Sequence, residues 1–99
     1  MTKFAIYVEL KAKVGKESEL ALFLKSAESL VAAEPGTITW FAMRFDNSTF
    51  GIFDAFDDEG GREAHLKGPI AAALMQRADE LLASSPQIRK ADVLADKLP

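Results

Sequence analysis

From Phe4 to Ala12 the chain alternates: Phe4, Ile6, Val8 and Leu10 fall on one side, Ala5, Tyr7, Glu9 and Lys11 on the other. Period two among β-forming residues predicts a strand, which Gly15 closes. The period then changes. Leu20, Phe23, Leu24, Ala27, Leu30 and Val31 form a single helical stripe, with Lys16, Glu17, Glu19, Lys25 and Glu28 mostly off it. Pro35-Gly36 stops that helix, and the β-branched and aromatic run Thr37–Phe45 predicts a second strand. Asp46-Asn47-Ser48 is turn-forming, so Thr49–Phe56 returns as the other arm of a hairpin.

Asp57-Asp58-Glu59 offers N-cap side chains and negative charge where a helix begins. The helical region that follows is expected to be broken. Gly60-Gly61 weakens its start, and Gly68-Pro69 ends a short piece and opens a longer one, with Ile70, Leu74, Ala78, Leu81 and Leu82 on its apolar face. After Ser84-Ser85-Pro86, residues Gln87–Leu98 read as a last strand. The order β-α-β-β-α-β predicts an α+β, ferredoxin-like domain spanning residues 1–99, a four-stranded antiparallel sheet with both helices on one face.

That arrangement leaves one sheet face bare. The second strand has Phe41, Met43 and Phe45 on one face against Ile38 and Trp40 on the other, and the third has Phe50, Ile52 and Phe56 against Phe53. An uncovered face with these residues exceeds what monomers usually expose, so a homodimer joined through the bare faces is expected.

Charge and composition narrow the chemistry. Fifteen acidic residues outnumber twelve basic ones, for a formal net charge of −3, which argues against nucleic-acid binding. Cysteine is absent, which removes thiolate metal sites and Cys nucleophiles and fits a reducing compartment. With no signal-peptide pattern and no run of ~20 apolar residues, a cytoplasmic protein that does not enter membranes is expected. Asp46, Ser48, Gly51 and Asp57 match some positions of a calcium loop, but Phe50 occupies a ligand position. Gly60-Gly61 lacks the Lys-Ser/Thr of a phosphate-cradling loop.

The candidate chemistry centres on His65, the one histidine of the chain. A neutral imidazole there could accept a proton from a phenol or enol; the alternative is a helix histidine satisfied by a local hydrogen bond. The Gly68-Pro69 break is expected to leave a cavity beneath the helix, and burial without a partner would keep the imidazole neutral. Trp40, Arg44 and Tyr7 are candidates for holding a flat anionic ligand, although Trp and Arg are equally favoured at interface centres.

The element order, Pro35-Gly36, and the run from Asp54 and Phe56 to Ala64-His65-Leu66 and Pro69 resemble the antibiotic biosynthesis monooxygenase family. Asp54 and Phe56 stand where that family commonly has Glu and Trp, and Ala-His-Leu is retained. The resemblance implies a dimeric α/β barrel whose oxygenating members need no flavin, haem or metal. They act on small aromatic, quinol-like or polyketide-like substrates, with His65 as the matching catalytic group. It equally admits a non-catalytic dimeric module for small-molecule binding or stress response. Haem-degrading relatives use an Asn, a Trp and a His at the positions of Val8, His65 and Met75, and all three differ here.

Overall fold

The computed structural model describes residues 2–99. Its elements are β1 (Phe4–Lys11), α1 (Glu17–Ala32), β2 (Thr39–Arg44), β3 (Thr49–Phe56), α2 (Glu59–Leu66), α3 (Pro69–Leu81) and β4 (Gln87–Asp92). The four strands form one antiparallel sheet in the order β2-β3-β1-β4. This is the expected ferredoxin-like fold, with the second helical region split as anticipated. Its edges are β2 and β4, so the sheet of a single chain stays open.

Alternation sorts the side chains as the pattern requires. Ile6, Val8 and Leu10 of β1 and Phe50, Ile52 and Phe56 of β3 point to the helices and pack on Leu20, Leu24, Leu74 and Leu81. The α1 stripe contributes only in part. Leu20, Leu24 and Ala27 are buried, whereas Leu30 is exposed where the helix runs past the core. Gly15 turns the chain into α1 with φ of 87°, a conformation that disfavours a side chain.

Two strands are shorter than expected. At β2, Thr37 is still in the preceding turn, its hydroxyl bound to Glu34 Oε1 at 2.8 Å. At β4, pairing ends with Phe4 opposite Asp92 and one further bond from Val93 N to the Lys3 carbonyl. Residues 93–98 lie outside the sheet, and Leu94 is exposed.

The register places Trp40, Ala42 and Arg44 opposite Asp54, Ile52 and Phe50 on the helix side. Phe41 and Met43 lie opposite Phe53 and Gly51 on the helix-free side, where Phe41 is 54% and Phe45 57% exposed. Gly51 makes room for two rings there: a Cβ at Gly51 would meet Phe45 Cε2 at 2.9 Å and Tyr7 Cε1 at 3.1 Å. Tyr7 therefore belongs to the helix-free face.

The paired glycines have a packing role that their helix-weakening reading did not anticipate. A Cβ on Gly61 would come within 2.9 Å of the Gly36 carbonyl oxygen, and one on Gly36 within 3.1 Å of Gly61 Cα. The α1–β2 loop thus lies backbone to backbone on the first turn of α2. Asp58 caps that turn by accepting from Gly61 N at 2.7 Å, as its capping position suggested. A helical Gly→Ala change normally stabilises by about 1 kcal/mol or less. Gly60→Ala is expected to follow that rule, since its Cβ would approach only Asp58 Oδ1, at 3.5 Å. Gly61→Ala is expected to destabilise by about 1–3 kcal/mol through overpacking. Urea midpoints of the two variants should move in opposite directions, and a gain for Gly61→Ala would refute the contact.

Candidate functional site

Asp54 stands between Ile52 and Phe56 at a core-facing position of β3 and is 1% exposed. A carboxylate there needs a cation. His65 supplies it from α2, with Nε2 2.8 Å from Asp54 Oδ2. The contact is one of charge more than of aligned hydrogen bonding, since neither Asp54 oxygen has a well-directed donor. The other ring nitrogen, Nδ1, donates to Glu34 Oε1 at 2.6 Å. Glu34 comes from the α1–β2 loop, held there by the Gly36–Gly61 contact and by the Thr37 hydroxyl. The His65 ring is 8% exposed and lies 5.6 Å from the Phe56 ring.

Burial pushes the imidazole toward neutrality, but the two carboxylates outweigh it and raise its pKa to about 9. At neutral pH His65 therefore holds its proton, between the Asp54 and Glu34 carboxyl groups. This corrects the expectation of a neutral, unpartnered imidazole: both nitrogens are engaged, and the proton a base would have to accept is already present. At the Gly68-Pro69 break the Glu34 carboxylate lies against Gly68, with Oε2 3.3 Å from where a Cβ would be.

An open cleft lies elsewhere, between α1 and β2. It has a volume of about 480 Å³ and opens to solvent. Its walls are Leu24 of α1, Trp40 of β2 and Phe50 of β3, with Lys25, Glu28 and Arg44 adding charge. The gap has a simple origin: where the helix passes the edge strand, the lining residues Ala21 and Ala42 are too small to close it. Arg44 is fixed in place. Its Nε donates to the Asp46 carbonyl at 3.3 Å, its Nη2 to the Asn47 carbonyl at 2.9 Å, and its guanidinium lies 4.9 Å from the Phe50 ring centre.

Of the four residues singled out in the sequence, Trp40 and Arg44 meet in this cleft, His65 lies in the buried cluster, and Tyr7 is on the opposite sheet face. Trp40 joins the two features: its ring walls the cleft, and in the ladder it stands opposite Asp54. Its buried Nε1 has no hydrogen-bond partner. Sequence reasoning missed Glu34, Lys25 and Glu28. The inward parity of Asp54 signalled a buried partner in the following helix; nothing comparable marked the α1 charges, which resemble any solvated helix face. At the positions compared with the haem-degrading relatives, Val8 is a core residue and Met75 is exposed on α3. Among the described residues no group of three or more His, Asp or Glu is placed to hold a metal ion, and no helix is long and apolar enough to cross a membrane.

The cluster makes stability depend on pH with a defined sign. The unfolded imidazole releases its proton near 6.5, whereas the folded one keeps it to about 9. Between those values the folded state holds more protons, so its stabilisation is full below pH 6.5 and is lost as pH rises through 9. The amount is on the order of 3 kcal/mol. Urea unfolding of the wild type between pH 6 and 10 should show this fall. His65→Gln should be less stable at pH 7 by about 3 kcal/mol, because it leaves the buried Asp54 and the partly buried Glu34 uncompensated, and should lack the slope. A wild-type midpoint that does not change over this range would contradict the charged assignment.

No protein-family model and no curated protein matches the chain. Solved structures do. A protein of unknown function from Nitrosomonas europaea is 60% identical with a TM-score of 0.98, over 100% of this chain and 96% of that one. A candidate antibiotic biosynthesis monooxygenase from the same organism is 14% identical with a TM-score of 0.82, over 93% and 90% of the two chains. Another from Caulobacter crescentus is 18% identical with a TM-score of 0.78, over 95% and 92%. The chain thus belongs with the first Nitrosomonas europaea protein to one family, which has the fold of the antibiotic biosynthesis monooxygenases.

Proposed function

We propose that two copies of this chain associate through their helix-free sheet faces, and that each takes a small electron-rich aromatic molecule into the α1–β2 cleft and oxygenates it without a cofactor. The observation carrying this reading is the cleft itself. Its volume falls in the range of small-molecule sites, and flat apolar walls meet a fixed cation at its edge. The chemistry needs little else from the protein. The anion of a hydroquinone or anthrone passes an electron to dioxygen, the radical pair joins through a C–O bond, and the hydroperoxide loses water to leave a quinone. One oxygen atom enters the product and the other leaves as water; the substrate supplies all the electrons. The protein contributes orientation and exclusion of solvent.

A second reading, a binding module without turnover, is favoured by one feature: the imidazole expected to act as base is a clamped cation outside the cleft. The same assay separates the two. Trp40 is the sole tryptophan and walls the cleft, so its fluorescence reports occupancy. Titration with anthrone should change Trp40 emission saturably and raise oxygen uptake above the uncatalysed rate. Saturation without uptake selects the binding module, and no saturation removes the cleft from either role.

Association is supported by the exposed Phe41 and Phe45 beside Phe53 and Tyr7, an apolar aromatic surface on an open sheet. Trp40 points to the helices, so the informative variant is Phe41→Asp. Sedimentation at micromolar concentration should give twice the chain mass for the wild type, and Phe41→Asp should weaken association at least tenfold. A monomeric wild type would overturn the assembly.

A further inference from the structure

We infer that the cleft selects its ligand in the ionised form, with Arg44 and Lys25 gripping an aromatic phenolate or carboxylate; this deepens the cleft reading above and rests on it. Arg44 is the stronger half of the argument. All three of its acceptors, the Asp46 and Asn47 carbonyls and Asn47 Oδ1, are neutral, so they fix the guanidinium without cancelling its charge. Its guanidinium carbon also lies 4.9 Å over the centre of the Phe50 ring. Neither Arg44 nor Lys25 has an ion-pair partner among the described residues. In a protein whose acidic residues outnumber its basic ones, two unpaired cations lining one cavity form a local positive site.

Glu28 lines the cleft too, so two cations face one carboxylate and the site keeps a charge of +1. The apolar walls receive the ring: Leu24, Trp40 and Phe50 offer flat or branched hydrocarbon surface, while the cations come from both α1 and β2. The arrangement also answers a chemical difficulty. No imidazole lines the cleft to deprotonate a phenol, and a ligand already ionised needs none. Binding the anion in preference to the neutral acid lowers the ligand's own pKa in the site.

The test uses 2-naphthoate and its uncharged analogue 2-naphthamide, which share ring and shape, in calorimetric titration of the wild type, Arg44→Gln, Lys25→Gln and the double variant. A charge-assisted contact is worth roughly tenfold or more in affinity. The wild type should bind naphthoate at least tenfold more tightly than naphthamide. The preference should shrink in each single variant and approach unity in the double, while naphthamide affinity stays constant. Equal affinity of the wild type for both probes overturns the anion selectivity and leaves the cleft as a binding site. A naphthoate preference unchanged in the double variant overturns it as well, by placing the anion elsewhere. No binding of either probe overturns both this inference and the cleft reading.

Discussion

One buried cation organises this end of the molecule. His65 lies between Asp54 of β3 and Glu34 of the α1–β2 loop, and the second contact reaches back 31 residues along the chain. A charge so enclosed is costly unless its partners are close on both sides. That requirement dictates much of what surrounds it: glycines at positions 36 and 61 so that loop and helix backbones touch, a hydroxyl at Thr37 to steady Glu34, and no side chain at Gly68 where the same carboxylate lies. Apolar burial shapes the core in general, but the cluster specifies how α2 and the loop sit on the sheet.

The cluster also frees the cleft from a structural duty. Leu20, Leu24 and Ala27 hold α1 to the core, and just past the helix the chain is tethered through Glu34. Alongside the first of those anchors, the small residues Ala21 and Ala42 leave space unfilled between the helix and edge strand β2. Trp40 is shared by both regions. The charged groups thus fall into two sets: the imidazole and its carboxylates are packed within the fold, while Arg44, Lys25 and Glu28 line the open cleft.

How much of this was legible in the sequence follows from the range of each interaction. Alternation in Phe4–Ala12 and Thr49–Phe56, the α1 stripe and the Gly68-Pro69 break are local patterns, and each gave its element to within a few residues. Termini set by a neighbour were misjudged: the ladder of β4 with β1 ends at Asp92 opposite Phe4, with one further bond from Val93, which no property of residues 93–98 reveals. The site was harder for the same reason. His65 was conspicuous by its residue type, but its charge is decided by Asp54 and Glu34, and Glu34 lies 31 residues away. The inward parity of Asp54 was a readable clue. The cleft had none, since it arises from the absence of side-chain volume at two alanines on different elements.

The comparisons sharpen where functional argument must come from. Backbones superimpose with chains only 14–18% identical, because alternation, helical stripes and turns can be satisfied by many sequences. Such similarity locates a sheet, its bare face and its helices, and says nothing about which groups meet a ligand. In this chain the retained Ala64-His65-Leu66 would make His65 the obvious catalyst, yet its surroundings make it a protonated structural tie. A motif preserves a residue type; the charges packed against it decide its protonation, and protonation decides whether it can act as a base. An imidazole committed to the fold in this way is not free to take up a second proton, so a reading of the cleft as a reaction site has to begin from the ionisation of the ligand itself.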